Sequence, residues 1–128
     1  MKIIKTKKAP QAIGPYSQAI VYEGLIFTSG QIGINSELGE LENENFELEA
    51  RQVFKNIESL LNESGSGLDN IIKLNIFLID LSNFDILNKI MKEVLDIDRL
   101  PSRSTVQVSA LPKGANIEID AIAEEVVK

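Results

Sequence analysis

The chain of 128 residues carries 13 Lys and Arg against 19 Asp and Glu, a net charge of −6, with no His and no Cys. That length suits a single domain spanning 1–128, and 44% hydrophobic with 25% charged residues is ordinary for a soluble globular protein. The missing imidazole and thiol exclude a Ser-His-Asp triad, a Cys nucleophile, disulfides and the usual zinc sites, leaving carboxylates, Arg, Lys, Tyr, hydroxyls and backbone to do any chemistry.

No apolar run approaches the roughly 20 residues of a membrane span. The start Met1 to Lys8 alternates like a short strand and lacks the apolar centre of a secretory signal, so a cytoplasmic location is expected. Its lysines, Lys2, Lys5, Lys7 and Lys8, read as a solvated strand face. The acidic balance and the lack of aromatics interleaved with Arg speak against nucleic acid as a partner. Only an oxygen-ligated Mg²⁺ or Ca²⁺ site stays open in principle; the acidic stretch Glu37 to Glu49 lacks EF-hand spacing and reads as a solvated loop and helix start, and no metal ligand is assigned.

After a loop from Ala9 to Pro15, Ser17–Tyr22 and Leu25–Ser29 read as strands joined at Glu23-Gly24, a tight hairpin signal. Gly30 to Asn45, rich in Gly, Asn and Glu, is expected to be a long loop. Ala50, Val53, Phe54, Ile57, Leu60 and Leu61 recur at helical spacing, and Gly65 ends that helix. Ile71 to Ile79 is apolar and β-branched, broken only by Lys73 and Asn75, as a central strand buried on most of both faces would be. Ser82 or Asn83 is placed to cap a second helix, with Asp85 in its first turn and Leu87, Ile90, Met91, Val94 and Leu95 on its buried stripe. Two alternating strands follow, giving the order β-β-β-α-β-α-β-β, an α+β domain with both helices on one face of a mixed sheet.

The chemistry concentrates in those last strands. Arg103, Thr105 and Gln107 share one face of the first, Glu118 and Asp120 one face of the second. If the two pair through Pro112-Lys113-Gly114, their apolar faces coincide and a guanidinium shares a sheet face with a carboxylate. Such a pair suits a small anionic substrate, Arg gripping a carboxylate by its fork and Glu holding a water. A structural ion pair at an interface is the competing reading. A face this mixed fits a subunit interface containing a pocket, so a homo-oligomer is expected.

Several motifs in order then resemble the RidA (YjgF-type) family. They are Ala9-Pro10-x-Ala12-Ile13-Gly14-Pro15-Tyr16-Ser17-Gln18-Ala19, Thr28-Ser29-Gly30-Gln31-Ile32, Pro101-Ser102-Arg103-Ser104-x-Val106, Leu111-Pro112-Lys113 and Ile117-Glu118-Ile119. The resemblance runs from about Ala9 to Ala123. It implies a chorismate-mutase-like α+β fold, assembled as a barrel-like homotrimer with pockets between subunits. It implies hydrolysis of 2-iminobutanoate and 2-iminopropanoate, reactive products of pyridoxal-phosphate enzymes, to 2-oxo acids and ammonia, without a cofactor. By that analogy Arg103 binds the substrate carboxylate and Glu118 positions the attacking water. The backbone at Gly30 and Thr105 lines the pocket, with Tyr16 and Asn88 nearby. Active members often carry a cysteine at the place of Thr105, which keeps open a non-catalytic sensor of small carboxylates, or an interaction module, on the same fold.

Overall fold

The computed structural model describes residues 1–126. Six strands form one sheet in the order β1-β2-β3-β8-β6-β7. They are β1 (Lys2–Ile4), β2 (Ala19–Tyr22), β3 (Leu25–Thr28), β6 (Ile71–Leu78), β7 (Ser102–Gln107) and β8 (Ile117–Glu124). All neighbours are antiparallel except β6 and β7, which run parallel with helix α2 (Phe84–Val94) between them in the chain. Helix α1 (Phe46–Glu63) packs beside α2 and over β8, so both helices cover one sheet face. Between them and the sheet lie Phe54, Ile57, Leu61, Leu87, Ile90, Leu74, Ile76, Leu78, Ile117 and Ile119, all buried.

Local chemistry explains the boundaries. Glu23 and Gly24 both take positive φ, 52° and 78°, the backbone that lets a two-residue turn follow strand twist. Asn45 caps α1, its side chain accepting from the Leu48 N–H at 2.9 Å. At the other end Ser66 N–H donates to the Leu61 carbonyl and Gly65 N–H to that of Asn62, with Gly65 at φ 81°. That is the glycine-terminated pattern expected of the sequence.

Three expectations need correction. Segment 30–45 is not all loop: β4 (Ile34–Asn35) and β5 (Glu40–Leu41) form a small hairpin, turned by Asn35, whose side chain accepts from the N–H groups of Glu37 and Leu38. Neither Ser82 nor Asn83 caps α2 with its side chain. Asp80 accepts from the Ser82 N–H at 2.8 Å, opening a 3₁₀ turn over Leu81–Asn83 that runs into the helix. Strand β6 is buried on its helix face only; Lys73, Asn75 and Phe77 on the outer face are half-exposed.

The fourth correction governs the site. Strands β7 and β8 do not pair; β6 lies between them. Leu74 is opposite both Arg103 and Ala121, and Phe77 is opposite both Val106 and Glu118. Residues opposite one another in a ladder share a face. Arg103 and Thr105 therefore lie with Leu74 and Ile76 on the helix-covered face, whereas Glu118 and Asp120 lie on the outer face. The expected common face for the guanidinium and the carboxylate does not exist within one chain.

Two half-sites on opposite faces of the sheet

The acidic half-site stems from a break in the ladder. Phe27 is opposite Ile122 and Gln31 is opposite Ile119, so the register slips by one residue between them. Thr28 covers the break by accepting the Ala121 N–H on its hydroxyl at 3.0 Å. Interruptions of this kind re-aim backbone near functional sites. Here Ser29 and Gly30 leave the ladder and Gly30 comes to rest on Glu118: a Cβ there would lie 2.6 Å from Glu118 Oε2. Glycine at this position is a matter of space.

Gly30, Glu118 and Tyr16 line one cleft of about 370 Å³ with Gln18, Gln31 and Pro112. Tyr16 is half-exposed at its rim, on a turn in which its N–H donates to the Gly14 carbonyl at 2.9 Å. None of the lining residues is basic. Burial, and then the negative charge of Asp120, raise the Glu118 carboxyl above its ordinary pKa. Asp120 itself accepts from Asn75 Nδ2 at 2.7 Å. The carboxyl over Gly30 thus titrates late, which suits a group that must both take up and release a proton.

The basic half-site belongs to the exposed edge of the sheet. Strand β7 has a single neighbour, so its far side is open. Arg103 lies against α2, its Nη1 donating to Asn88 Oδ1 at 2.7 Å and touching Met91 Sδ at 3.2 Å. Its guanidinium carbon stands 4.9 Å from the centre of the Phe84 ring. Phe84, Asn88 and Met91 are spaced i, i+4, i+7, one stripe of the helix, so α2 presents a ready-made cradle. Among the described residues Nη2 and Nε have no hydrogen-bond partner, and no carboxylate pairs with Arg103. Arg103 and Glu118 form no ion pair within the described residues of one chain.

The cradle sharpens the reading of Asn88, which holds Arg103 from the side and fixes where the free fork points. Phe84 was not foreseen, although its spacing from Asn88 was visible. Thr105 follows Arg103 on the same face, yet its Oγ1 is buried without a hydrogen-bond partner among the described residues. Such an atom costs stability. The hydroxyl is shut away while the rest of the residue is partly exposed. The described residues contain no cluster of three or more potential metal ligands and no helix long and apolar enough to cross a membrane.

The model of the family described as Endoribonuclease L-PSP matches residues 6–125. The human protein named 2-iminobutanoate/2-iminopropanoate deaminase is 41% identical over 122 residues, covering 95% of this chain and 88% of that one. The crystal structure of RidA from the Antarctic bacterium Psychrobacter superposes with a TM-score of 0.93 at 41% identity, covering 97% of this chain and 99% of that chain. E. coli TdcF, solved with bound serine, does so with a TM-score of 0.89 at 36% identity, covering 98% of this chain and all of the other. The chain belongs to the Endoribonuclease L-PSP family, the RidA group that its motifs resemble.

Proposed function

We propose that the protein hydrolyses small 2-imino acids, 2-iminobutanoate and 2-iminopropanoate, to 2-oxo acids and ammonia, at sites each completed by two copies of the chain. The observation that carries this is the free Arg103 fork on one face and the late-titrating Glu118 carboxyl on the other, neither with a partner of opposite charge. Two groups on opposite faces of one sheet meet over a ligand only if a second copy brings its own. The outer face favours such contact: Ile3, Phe27 and Val106 are exposed on the face that carries Glu118. An open sheet face of this mixed kind is covered when like copies close in a ring, and a homotrimer is the assembly that the resemblance suggests.

In this scheme Arg103 takes the carboxylate on its two free nitrogens, held by Asn88, Met91 and the Phe84 ring. Glu118 of the adjoining copy accepts a proton from water as the oxygen adds to the imine carbon. Glu118 returns that proton to the carbinolamine nitrogen, and ammonia leaves as the C–O double bond forms, the hydroxyl proton passing to the departing ammonia, so that the 2-oxo acid and ammonium are released and the carboxylate is restored. An iminium carbon is already electrophilic, so placement and one proton acceptor suffice, contributing about 10²–10⁴-fold from the acid–base step. No cofactor enters. The relative solved with serine shows that a small amino carboxylate is accommodated in a neighbour of this fold. The acidic chain and the cleft without basic lining give RNA cleavage, suggested by the printed family description, no comparable support.

The test couples a threonine dehydratase to the purified protein and follows imine decay by semicarbazone trapping. Faster formation of 2-oxobutanoate is expected. Binding of 2-oxobutanoate without acceleration would establish the carboxylate sensor instead.

A further inference from the structure

The wall of the cleft opposite Glu118 is chain without secondary structure: β1 ends at Ile4 and β2 begins at Ala19. Backbone outside a ladder must find its hydrogen bonds elsewhere. Gln18, only 4% exposed, supplies those of Thr6, Ala9 and Pro10 in the first half of the segment. Its Oε1 accepts from the Thr6 N–H at 2.8 Å, while Nε2 faces the carbonyls of Pro10 at 2.8 Å, Thr6 at 3.1 Å and Ala9 at 3.4 Å. Gln11 adds a second, more exposed clasp, its Nε2 donating to Thr6 O at 2.8 Å and reaching Ala9 O at 3.4 Å. The side chains hung on this segment have little packing of their own: Ile13 is 73% exposed and Tyr16 50%. Their position depends on the backbone, which Gln18 anchors at Thr6, Ala9 and Pro10 just before them.

We infer that Gln18 is a positioning residue of the site, setting the gap between the Ile13–Tyr16 wall and the Gly30–Glu118 floor. It acts on substrate capture rather than on bond making, because its hydrogen bonds run to Thr6, Ala9 and the cleft-lining Pro10, at the root of the wall, and none to Glu118. The inference rests on the deaminase reading for its kinetic consequence, but its structural half stands without it. Gln18→Glu keeps the shape and the acceptor for Thr6 while removing every N–H offered to the carbonyls.

In Gln18→Glu, KM for 2-iminobutanoate is expected to rise about tenfold with kcat within about twofold, the pattern of lost uniform binding. Amides of residues 6–16 should exchange faster with deuterium in the ligand-free protein, since local opening is governed by such contacts. A core variant of similar thermal loss, Ile57→Val, should leave KM and that exchange pattern alone. An unchanged KM in folded Gln18→Glu, or a fall in kcat at constant KM, overturns the inference. Should Gln18→Glu fail to fold, Gln11→Ala takes its place. A smaller KM rise with faster exchange then supports the clasp, and parental values refute it. If the parent neither turns over imines nor binds 2-oxobutanoate, the deaminase reading fails, and the exchange measurement alone decides whether Gln18 holds the wall.

Discussion

Arg103→Lys is expected to lose nearly as much kcat/KM as Arg103→Ala, about 10²–10³-fold, the range for breaking a hydrogen-bonded charge pair shielded from water. The reason lies in how the guanidinium is spent. One nitrogen is committed to Asn88 and Met91 and the plane lies near the Phe84 ring, which leaves Nη2 and Nε for a carboxylate. An ammonium has one point of charge and no plane. It satisfies Asn88 or the ligand, not both in this geometry. Steady-state kinetics with enzymatically generated 2-iminobutanoate decide the matter, and a Lys variant with parental kcat/KM would remove the forked grip from the account.

Glu118→Gln should divide function from stability. Turnover is expected to fall by about 10²–10⁴-fold, the contribution of a placed proton acceptor, while 2-oxobutanoate still binds. The variant should also melt at a higher temperature than the parent. Burial and the Asp120 charge raise the Glu118 pKa in the folded state above its unfolded value. Stability tied to that shift is complete below the unfolded value and is lost as pH rises through the folded one. At neutral pH the carboxylate is therefore a cost to the fold, which Gln does not carry; active sites commonly trade stability in this way. The same shift moves the acid limb of the parent kcat/KM profile upward from the ordinary Glu value, and Asp120→Asn should move that limb to lower pH. A pH profile unchanged in Asp120→Asn would show that the charge beside Glu118 does not govern its proton.

Much of this molecule obeys local rules that sequence carries directly. The α1 stripe from Ala50 to Leu61, the glycine end at Gly65 and the turn at Glu23-Gly24 each depend on neighbours a few residues away. The candidate chemical groups were equally easy to list, since without His or Cys only a few residue types remain. What failed was the partner of β7. A strand's alternation states which residues go together within it, not which face of the next strand they join; that follows from pairing. Placing β6 between β7 and β8 sends Arg103 and Glu118 to opposite faces without altering either pattern. One hint was available: the connection from Val108 to Asn116 exceeds the roughly 2–5 residues of hairpin loops. Asp80, lying before the expected cap, and Gln18, inside a motif but silent in composition, act through contacts that only the folded chain displays.

Subunit complementation measures the composite site most directly. Arg103→Ala and Glu118→Gln chains, each nearly inactive, are unfolded together, refolded in equal amounts and checked for mixed oligomers by native mass spectrometry. If Arg103 of one copy works with Glu118 of the next, some junctions recover both groups, and activity should return to about one quarter of the parent for random mixing in a closed ring. Mixed oligomers that remain as inactive as their components would contradict a site shared between copies.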